Sequence, residues 1–474
     1  MPTFSPTQKA QLDERGIAED EAARQLALLA SPPSFAELVR PAVVGDGIER
    51  IEPERQEALI SIHEQATREG RCAKFVPASG AASRMFQGLR NGTDVREFME
   101  ALPRFPFVDD LRAELAFRGY DLDVLRGAGS EREILDALLD TEGLDYEAMP
   151  KGLIPFHRYG DGVRTALEEH LAEATETAGR LHVTVAPEHL HAFRLYADRA
   201  VPENGIAWSV QRGSTDTIAG DPGGGPFTTE DNRLLLRPSG HGALLSNLQD
   251  VDADVVLVKN IDNVQRKGRR EATIRWKKIL GGRLVELQRE VHLHVARLRG
   301  TDIAAGALDE AAQAARRLFG IEAQGAAALL EALDRPIRVC GVVANTGEPG
   351  GGPFWVRGKD GRVLRQIVEG AQVDPSREDQ KTIFRASTHF NPVDLACGFR
   401  DAAGVKLSLK RFVDPTTSIV TRKTYAGREL VALERPGLWN GAMAGWLTAF
   451  VEVPIETFTP VKTVMDLLRP EHQP

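Results

Sequence analysis

Short apolar runs alternate with amphipathic helical segments over much of this 474-residue chain. Runs rich in β-branched and other apolar residues predict strands, and apolar positions spaced three or four apart predict helices. The predicted strands begin at residue 74 and continue at 181–185, 205–211, 233–237, 254–258, 337–343 and 451–453. Because strands that alternate with helices form βαβ units, the pattern predicts an α/β fold with a mainly parallel sheet.

Helical patterns predict how the rest of the chain is organised. Residues 1–70 are expected to form an N-terminal helical extension, and residues 71–474 an α/β domain with helical insertions near 93–178 and 264–335. The basic helical stretch 266–299 is expected to break at Gly281 and Gly282, since glycine weakens a helix interior. A last helix is predicted at Val464–Leu468.

A run of small residues after the first strand of the α/β domain is the first candidate site. Its residues are Ala78, Ser79, Gly80, Ala81 and Ser83. A helix is predicted to open at Arg84, where free backbone N–H groups would bind a phosphate and the guanidinium would add a planar donor fork. An ordinary strand-to-helix turn explains the pattern equally simply. The run has neither the lysine of a Walker A loop nor the three spaced glycines of a dinucleotide fingerprint.

Two polar turns follow other predicted strands. Asp262 follows the apolar run 254–258, and His241 lies between two glycines. Ligands of open parallel sheets bind beyond the carboxyl ends of the strands, and one carboxylate with phosphate oxygens and water suffices for Mg²⁺. In the alternative interpretation, Asp262 or Asn260 caps the next helix and His241 is a hydrogen-bonded rim residue.

Composition limits the classes of function. A net charge of -9 and a pI near 5.8 argue against a broad nucleic-acid-binding surface. The three cysteines are far apart and show neither a disulfide framework nor metal-ligand spacing. No signal peptide or bilayer-spanning run is evident, so we expect a cytoplasmic protein without membrane or nucleic-acid partners. The motifs of serine hydrolases and zinc hydrolases are also missing.

Four motifs, in order along the chain, resemble segments of UDP-sugar pyrophosphorylases, which are sugar-1-phosphate nucleotidyltransferases. Residues 77–85 resemble their Ala-Gly-Gly-x-Gly-Thr-Arg-Leu nucleotide loop, and residues 259–263 their Asn-x-Asp-Asn metal turn. Residues 458–463 resemble their Pro-Val-Lys-Thr stretch, whose lysine contacts phosphate. The segments that hold uracil and ribose are similar to those around Gln211, Gly240, His241 and Gly242. The whole chain also resembles an uncharacterised bacterial family of domains of unknown function.

The resemblance implies a GT-A-like, Rossmann-related fold. It implies attack by a sugar-1-phosphate on the α-phosphorus of UTP, with release of pyrophosphate and with Mg²⁺ as cofactor. Catalytic roles are implied for Arg84, Lys462 and Asp262, with Asp262 as metal ligand. The candidate sugar contacts are Asn260, Glu348, His389 and Asn391.

The chain departs from the family pattern around the loop. Ser79 and Ala82 replace two glycines, and the lysine that the family places shortly after the loop is missing, with Arg90 near its position. These departures motivate a second hypothesis, a nucleotide- or sugar-nucleotide-binding protein without turnover. A dinucleotide-dependent oxidoreductase is a third, which the glycine spacing disfavours. Lys151, His157 and Arg158 could line a cleft, but a solvated loop is the favoured interpretation, since loops collect charge.

Overall fold

A computed structural model describes residues 4–31, 34–200, 205–304, 306–347, 350–391 and 393–474. None of the helices in these ranges is both long and apolar enough to cross a bilayer. The α-helices are α1 (Pro6–Arg15), α2 (Glu19–Ala30), α3 (Pro53–Arg68), α4 (Gln87–Arg90), α5 (Val95–Ala101), α6 (Val108–Phe117), α7 (Leu122–Ala128), α8 (Glu131–Leu139), α9 (Ala166–Thr177), α10 (Leu190–Ala200), α11 (Leu245–Asp250), α12 (Glu271–Leu298), α13 (Ala307–Phe319), α14 (Ala326–Leu333) and α15 (Glu378–Arg385).

The strands are shorter than the helices and are spread over the whole chain. They are β1 (Glu37–Pro41), β2 (Val43–Val44), β3 (Gly47–Glu49), β4 (Cys72–Pro77), β5 (Pro155–Tyr159), β6 (Gly162–Thr165), β7 (Leu181–Val185), β8 (Ile206–Val210), β9 (Thr217–Ile218), β10 (Leu236–Arg237), β11 (Val255–Lys259), β12 (Ile337–Ala344), β13 (Gly352–Arg357), β14 (Val363–Val368), β15 (His389–Phe390), β16 (Asp394–Gly398), β17 (Ile419–Tyr425), β18 (Arg428–Glu434) and β19 (Leu447–Glu452).

The chain divides into two compact units, each built from separate segments. Unit 1 takes the described residues of Met1–Arg71, Gln211–Leu257 and Ile279–Val453. Unit 2 takes those of Cys72–Val210, Val258–Lys278 and Pro454–Pro474. The first change of unit falls between Arg71 and Cys72, and a later one falls inside β11. The predicted division of the chain at residue 70 stays a prediction.

The strands β4, β7 and β8 lie side by side in that order in unit 2, which also includes the last two residues of β11. β4 pairs with β7, and β7 with β8, in parallel registers. Both β11 and the first five residues of β4 are buried, which explains why their sequences are nearly uninterrupted apolar runs. These buried strands give the loop after β4 and the turn after β11 a rigid support.

One continuous apolar core fills unit 2. It contains four phenylalanines of the helical insertion, and the ring centroids of Phe105 and Phe107 lie 5.3 Å apart. Val461, Val464 and Leu467, near the end of the chain, belong to the same core. The C-terminal segment is therefore an integral part of unit 2.

Unit 1 contains the strand order β2-β3-β19-β12-β16. β3, β19 and β12 are parallel to one another, and β16 is antiparallel to β12. A separate antiparallel sheet has the order β1-β13-β14, and β17 and β18 form a hairpin. The parallel strands of both units, with their helices, confirm the predicted α/β class with a mainly parallel sheet.

Two local predictions are wrong, and a third is confirmed in its bounds. Residues 37–49 form β1, β2 and β3 rather than helix, because β1 pairs with β13 and β3 with β19, partners that are distant in sequence. Helix α12 runs unbroken through Gly281 and Gly282. Added Cβ atoms there would lie 2.2 Å from the His63 ring and 2.0 Å from the Leu59 carbonyl oxygen, so both glycines permit close packing of α3. The predicted helix at Val464–Leu468 is a 3-10 helix.

Candidate functional site

The small-residue loop leaves the buried strand β4 and turns through a short 3-10 helix. The Ala78 N–H donates to the Thr184 carbonyl at 2.8 Å, and the Ala82 N–H to the Met149 carbonyl at 2.9 Å. The expected helix at Arg84 is only the 3-10 helix Ala82–Arg84, followed by the four-residue α4. Because so short a helix has little dipole, phosphate binding here would depend mainly on nearby cations.

One such cation is the Arg84 guanidinium. Ser83 and Arg84 are both exposed, and Arg84 forms no ion pair with any residue that the structure describes. A Cβ atom added at Gly80 would meet no atom within 4 Å, so open space lies in front of the loop. The loop therefore has both a free donor fork and room for a ligand.

A second segment, from Pro150 to Leu153, runs beside this loop. The Lys151 N–H donates to the Gly80 carbonyl at 3.3 Å, and Ala81 forms a β-bridge with Pro150. A Cβ at Gly152 would lie 2.9 Å from the Phe193 ring, so the glycine allows the segment to pack closely. This packing fixes Lys151 next to the loop.

The turn after β11 presents Asp262, whose side chain is 12% exposed. Its Oδ2 atom lies 3.1 Å from Lys151 Nζ and 3.0 Å from Lys462 Nζ. Its Oδ1 atom is buried and has no hydrogen-bond partner among the described residues. The next helical segment begins at Lys267 with Arg266 as its N-cap, so neither Asn260 nor Asp262 caps it.

The charges of this group favour an ionised carboxylate. Burial alone would raise the pKa of Asp262, but the ammonium groups of Lys151 and Lys462 outweigh it and hold the pKa below its ordinary value. Burial lowers the pKa of Lys151, and the attraction of Asp262 offsets this only in part. Two cations that share one carboxylate leave a net positive charge, which suits an anionic ligand.

The C-terminal segment brings Lys462 to this carboxylate by backbone pairing. The Val461 N–H donates to the Asp262 carbonyl at 3.0 Å, and the Thr459 N–H to Asn263 Oδ1 at 3.0 Å. The N–H groups of Lys462 and Thr463 each donate to Asp466 Oδ2 at 2.7 Å. The backbone on both sides of Lys462 is therefore fixed, although its side chain is 54% exposed.

Ion pairs connect helix α9 to the buried strands β4 and β11. Glu173 Oε1 lies 2.8 Å from Lys74 Nζ of β4, and Glu173 Oε2 lies 3.0 Å from Lys259 Nζ of β11. Burial lowers the pKa of Lys74 to about 7. We interpret this group of ion pairs as a contact that holds β4 and β11 together.

The described residues contain no group of three or more His, Cys, Asp or Glu side chains that could hold a metal ion. Asp262 Oδ1 is one carboxylate oxygen without a hydrogen-bond donor. That fits a Mg²⁺ ion whose other ligands are phosphate oxygens and water, and it does not fit an ion held by protein ligands alone.

Arg90, near the sequence position of the missing lysine, is paired with two carboxylates. Its guanidinium lies 2.5 Å from Asp140 and 2.6 Å from Glu147, within a cleft of about 770 Å³ that also includes Ala81 and Ser83 of the loop. The cation beside the loop and Asp262 is Lys151, for which the sequence favoured a solvated loop over a cleft. The Pro-Lys-Gly sequence before an apolar run was the available signal, since it marks a constrained turn.

The predicted nucleotide contacts at 211 and 240–242 lie in unit 1. There, His241 Nδ1 accepts the Leu438 N–H at 3.0 Å, and its ring stacks on Trp439 with 4.1 Å between centroids. A Cβ at Gly242 would lie 2.1 Å from the Pro436 carbonyl oxygen. Packing thus explains why a histidine and a glycine occupy positions 241 and 242. The role of these two residues, with Gln211, in base binding stays a prediction.

The predicted sugar contacts are spread over both units. Asn391 is buried in unit 1, where its Nδ2 donates to the Gly341 carbonyl and its Oδ1 accepts the Val393 N–H. His389 is also buried there, with Nε2 at 3.3 Å from Glu452. Asn260 belongs to the turn after β11 in unit 2, and Glu348 lies outside the described residues. Sugar binding by these residues stays a prediction.

Fold and geometry together define an α/β protein with a buried carboxylate and two lysines beside a small-residue loop. Residues 5–473 match the model of a family described as a domain of unknown function, DUF4301, and the chain belongs to this family. No functionally curated protein matches its sequence.

Two solved structures resemble this one over 98% of its chain and 79% of theirs, each at 13% sequence identity. One is UDP-N-acetylglucosamine pyrophosphorylase from Trypanosoma brucei in complex with an inhibitor, with a TM-score of 0.54. The other is a UDP-glucose pyrophosphorylase mutant from Leishmania major, with a TM-score of 0.50. At this identity the likeness shows a shared nucleotidyltransferase-like fold.

Proposed function

We propose that this protein is a sugar-1-phosphate nucleotidyltransferase that transfers a uridylyl group from UTP to a sugar-1-phosphate and releases pyrophosphate. The observation that carries the proposal is the convergence of Lys151 and Lys462 on buried Asp262. This group lies beside a loop with open space in front of it. The shared fold with UDP-sugar pyrophosphorylases supports the same reaction class.

The reaction needs positioning and charge neutralisation rather than a protein nucleophile. A phosphate oxygen of the sugar-1-phosphate attacks the α-phosphorus of UTP and forms the new O–P bond. The bond from the α-phosphorus to the bridging oxygen breaks, and pyrophosphate leaves with that electron pair. Because negative charge shifts onto the leaving group, fixed cations near the phosphates lower the barrier.

Each charged residue then has a distinct role. Arg84 and Lys151 bind the triphosphate from the loop side, and the exposed ammonium of Lys462 reaches phosphate oxygens from the C-terminal segment. Asp262 Oδ2 holds both ammonium groups in place, and Asp262 Oδ1 would be the protein ligand for Mg²⁺. Bound Mg²⁺ neutralises charge on the phosphate oxygens.

The finer specificity would come from the residues that the motif resemblance assigns to the base and the sugar. Gln211, with the Gly240–Gly242 turn, would hold uracil and ribose, and Asn260, Glu348, His389 and Asn391 would contact the sugar. These assignments come from the resemblance of the sequence motifs. They make uridine selectivity a property to be measured separately from catalysis.

The test is pyrophosphate release from the purified protein with UTP, CTP, ATP or GTP and a panel of sugar-1-phosphates, with and without Mg²⁺. We expect release that depends on Mg²⁺, on UTP and on at least one sugar-1-phosphate. A preference for a purine nucleotide would refute the uridylyl assignment. Pyrophosphate release in the absence of any sugar-1-phosphate would show that a sugar-1-phosphate is not the acceptor.

A second candidate is a nucleotide-sugar-binding protein without turnover. The observation that favours it is the burial of Asp262 Oδ1, because a metal ion must displace its surroundings to reach that atom. A ligand that binds only the native state raises the melting temperature, Tm. A higher Tm with UDP-sugars, together with no pyrophosphate release with any acceptor, would establish this alternative.

A further inference from the structure

A chain of buried polar side chains joins helix α9 to the C-terminal segment of unit 2. His157 Nδ1 lies 2.8 Å from Glu169 Oε1, and His157 Nε2 lies 2.8 Å from His472 Nδ1. The side chains of His157 and Glu169 are fully buried, and His472 is 1% exposed. Polar groups in such surroundings are costly unless hydrogen-bonded, so this arrangement is a specific one.

The charge on Glu169 fixes the direction of its hydrogen bond with His157. Burial would raise the pKa of Glu169, but hydrogen bonds from His157 and Tyr159 keep it below its ordinary value, so the carboxylate is ionised and accepts from His157 Nδ1–H. Burial lowers the pKa of His472 to about 3, so its ring is neutral near pH 7. One hydrogen bond joins His157 Nε2 to His472 Nδ1, and the tautomers of the two rings decide which nitrogen donates.

Neighbouring groups reinforce both ends of this chain. The Tyr159 hydroxyl donates to Glu169 Oε1 at 2.6 Å, and Arg270 lies 3.5 Å from Glu169 Oε2. Arg266 donates to the Gln473 carbonyl, and Gln473 Nε2 donates to the Leu467 carbonyl at 2.7 Å. The residues after Leu467 are thus tied back onto unit 2.

His170 follows Glu169 in α9 and holds the turn that carries Asp262, the ion-pair partner of Lys462. His170 is buried, and its Nε2–H donates to the carbonyls of Asn260 and Ile261, at 3.1 and 3.2 Å. These two residues directly precede Asp262. Neighbouring residues of one helix therefore hold the Asp262 turn and, through His157, the segment that carries Lys462.

We infer that Glu169, His157 and His472 form a clasp that fixes the C-terminal segment and so positions Lys462 against Asp262. The catalytic meaning of the clasp rests on the proposed function. His472 is a positioning residue, since it contacts neither Asp262 nor Lys462 in this structure. The clasp adds a second restraint on this segment, beyond the backbone pairing of residues 459–463, so the half-exposed Lys462 side chain extends from a fixed backbone.

The test compares His472→Asn with His472→Gln in the full chain. An asparagine amide places a donor nitrogen or an acceptor oxygen at the position of Nδ1 and can preserve the hydrogen bond to His157, whereas a glutamine amide extends to the place of Nε2. Hydrogen–deuterium exchange of residues 459–466 reports the order of the Lys462 segment without any substrate. Leu115→Ala, which removes methyl groups from the α6 part of the core, controls for general destabilisation.

We expect exchange at 459–466 to be at least tenfold faster in His472→Gln than in the wild type, His472→Asn or Leu115→Ala, by the scale of a lost buried hydrogen bond. Where the wild type is active, kcat should fall about tenfold in His472→Gln with little change in KM, and recover in His472→Asn. Equal exchange in all variants overturns the clasp, as does equally fast exchange in both His472 variants. An inactive wild type refutes the proposed function, and the exchange result still decides the clasp.

Discussion

Lys151 Nζ lies 3.1 Å from Oδ2 of Asp262, and this contact joins the segment beside the small-residue loop to the turn after β11. Lys462 reaches the same oxygen at 3.0 Å from the C-terminal segment. Three segments that are distant in sequence therefore share one carboxylate oxygen. The shared oxygen makes the two lysines mutually dependent, and this dependence can be measured.

Replacing either lysine should remove phosphate stabilisation. We expect Lys151→Ala and Lys462→Ala each to lower kcat/KM for pyrophosphate release by about a hundredfold, the scale of losing one electrostatic stabiliser. The double variant should lose less than the product of the single effects, since both lysines act with the same carboxylate. Arg90→Ala is the matched control, because Arg90 is already held by Asp140 and Glu147. A larger loss in Arg90→Ala than in Lys151→Ala would reverse this assignment.

Asp262→Asn separates catalysis from stability. We expect turnover to fall about a hundredfold or more, because the amide supplies less charge to Mg²⁺ and to the lysines. The free energy of unfolding should fall by about 3 kcal/mol, because Lys151 is left buried without its counter-charge. Denaturant unfolding of the single variant Asp262→Asn and of the double variant Asp262→Asn with Lys151→Met measures this loss of stability. Adding Lys151→Met should restore stability but not turnover, and unchanged Mg²⁺-dependent turnover in Asp262→Asn would exclude Asp262 from the reaction.

Gly80→Val tests the open space in front of the loop. A Cβ at Gly80 would touch nothing within 4 Å, so the added side chain should leave the fold intact while it blocks the path of a phosphate. We expect nucleotide affinity, measured by calorimetry, to fall at least tenfold, about the free energy of one phosphate hydrogen bond. Gly127→Val in α7, where an added Cβ also meets open space, is the control. Equal affinity in both variants would remove the loop from the binding site.

Gln211→Ala tests the choice of base. If Gln211 hydrogen-bonds uracil, its removal leaves polar atoms of the base unpaired, so uridine nucleotides should lose more affinity than purine nucleotides. Thermal-shift titrations with UTP, UDP-glucose and ATP measure the difference. An equal loss for all nucleotides would show that Gln211 does not read the base.

The clasp predicts a lower free energy of unfolding in mild acid than at neutral pH. The pKa of His472 is about 3 in the folded protein, below its ordinary value of 6.5, so the unfolded chain binds more protons between these values. Stability therefore falls as the pH drops through this window, by up to about 1.4 kcal/mol per pH unit for this one group. Thermal unfolding from pH 7 to pH 4 should show a steeper decline for the wild type than for His472→Asn. Parallel curves would mean that His472 contributes no such linkage.

The sequence was informative where a single segment carries the signal. The apolar runs at β7, β8, β11 and β12 gave the α/β class, and the small-residue loop and Asp262 were found from their positions after strands. Lys151 was offered as a cleft residue but a solvated loop was favoured, because no local pattern encodes its contacts with Gly80 and Asp262. A solvated loop was favoured for His157 for the same reason, since its partners Glu169 and His472 lie elsewhere in the chain.

By itself, the sequence determined which segments are buried and which residues are chemically able to bind phosphate, because burial and charge are properties of local pattern. Only the tertiary structure decided which cations meet Asp262, that Gly281 and Gly282 pack against α3 rather than break α12, and that His472 closes onto His157. The physical reason is that these outcomes depend on distances between segments far apart in the chain. Hydrogen bonds and ion pairs form only within about 3 to 4 Å, a range that the folded core alone can set.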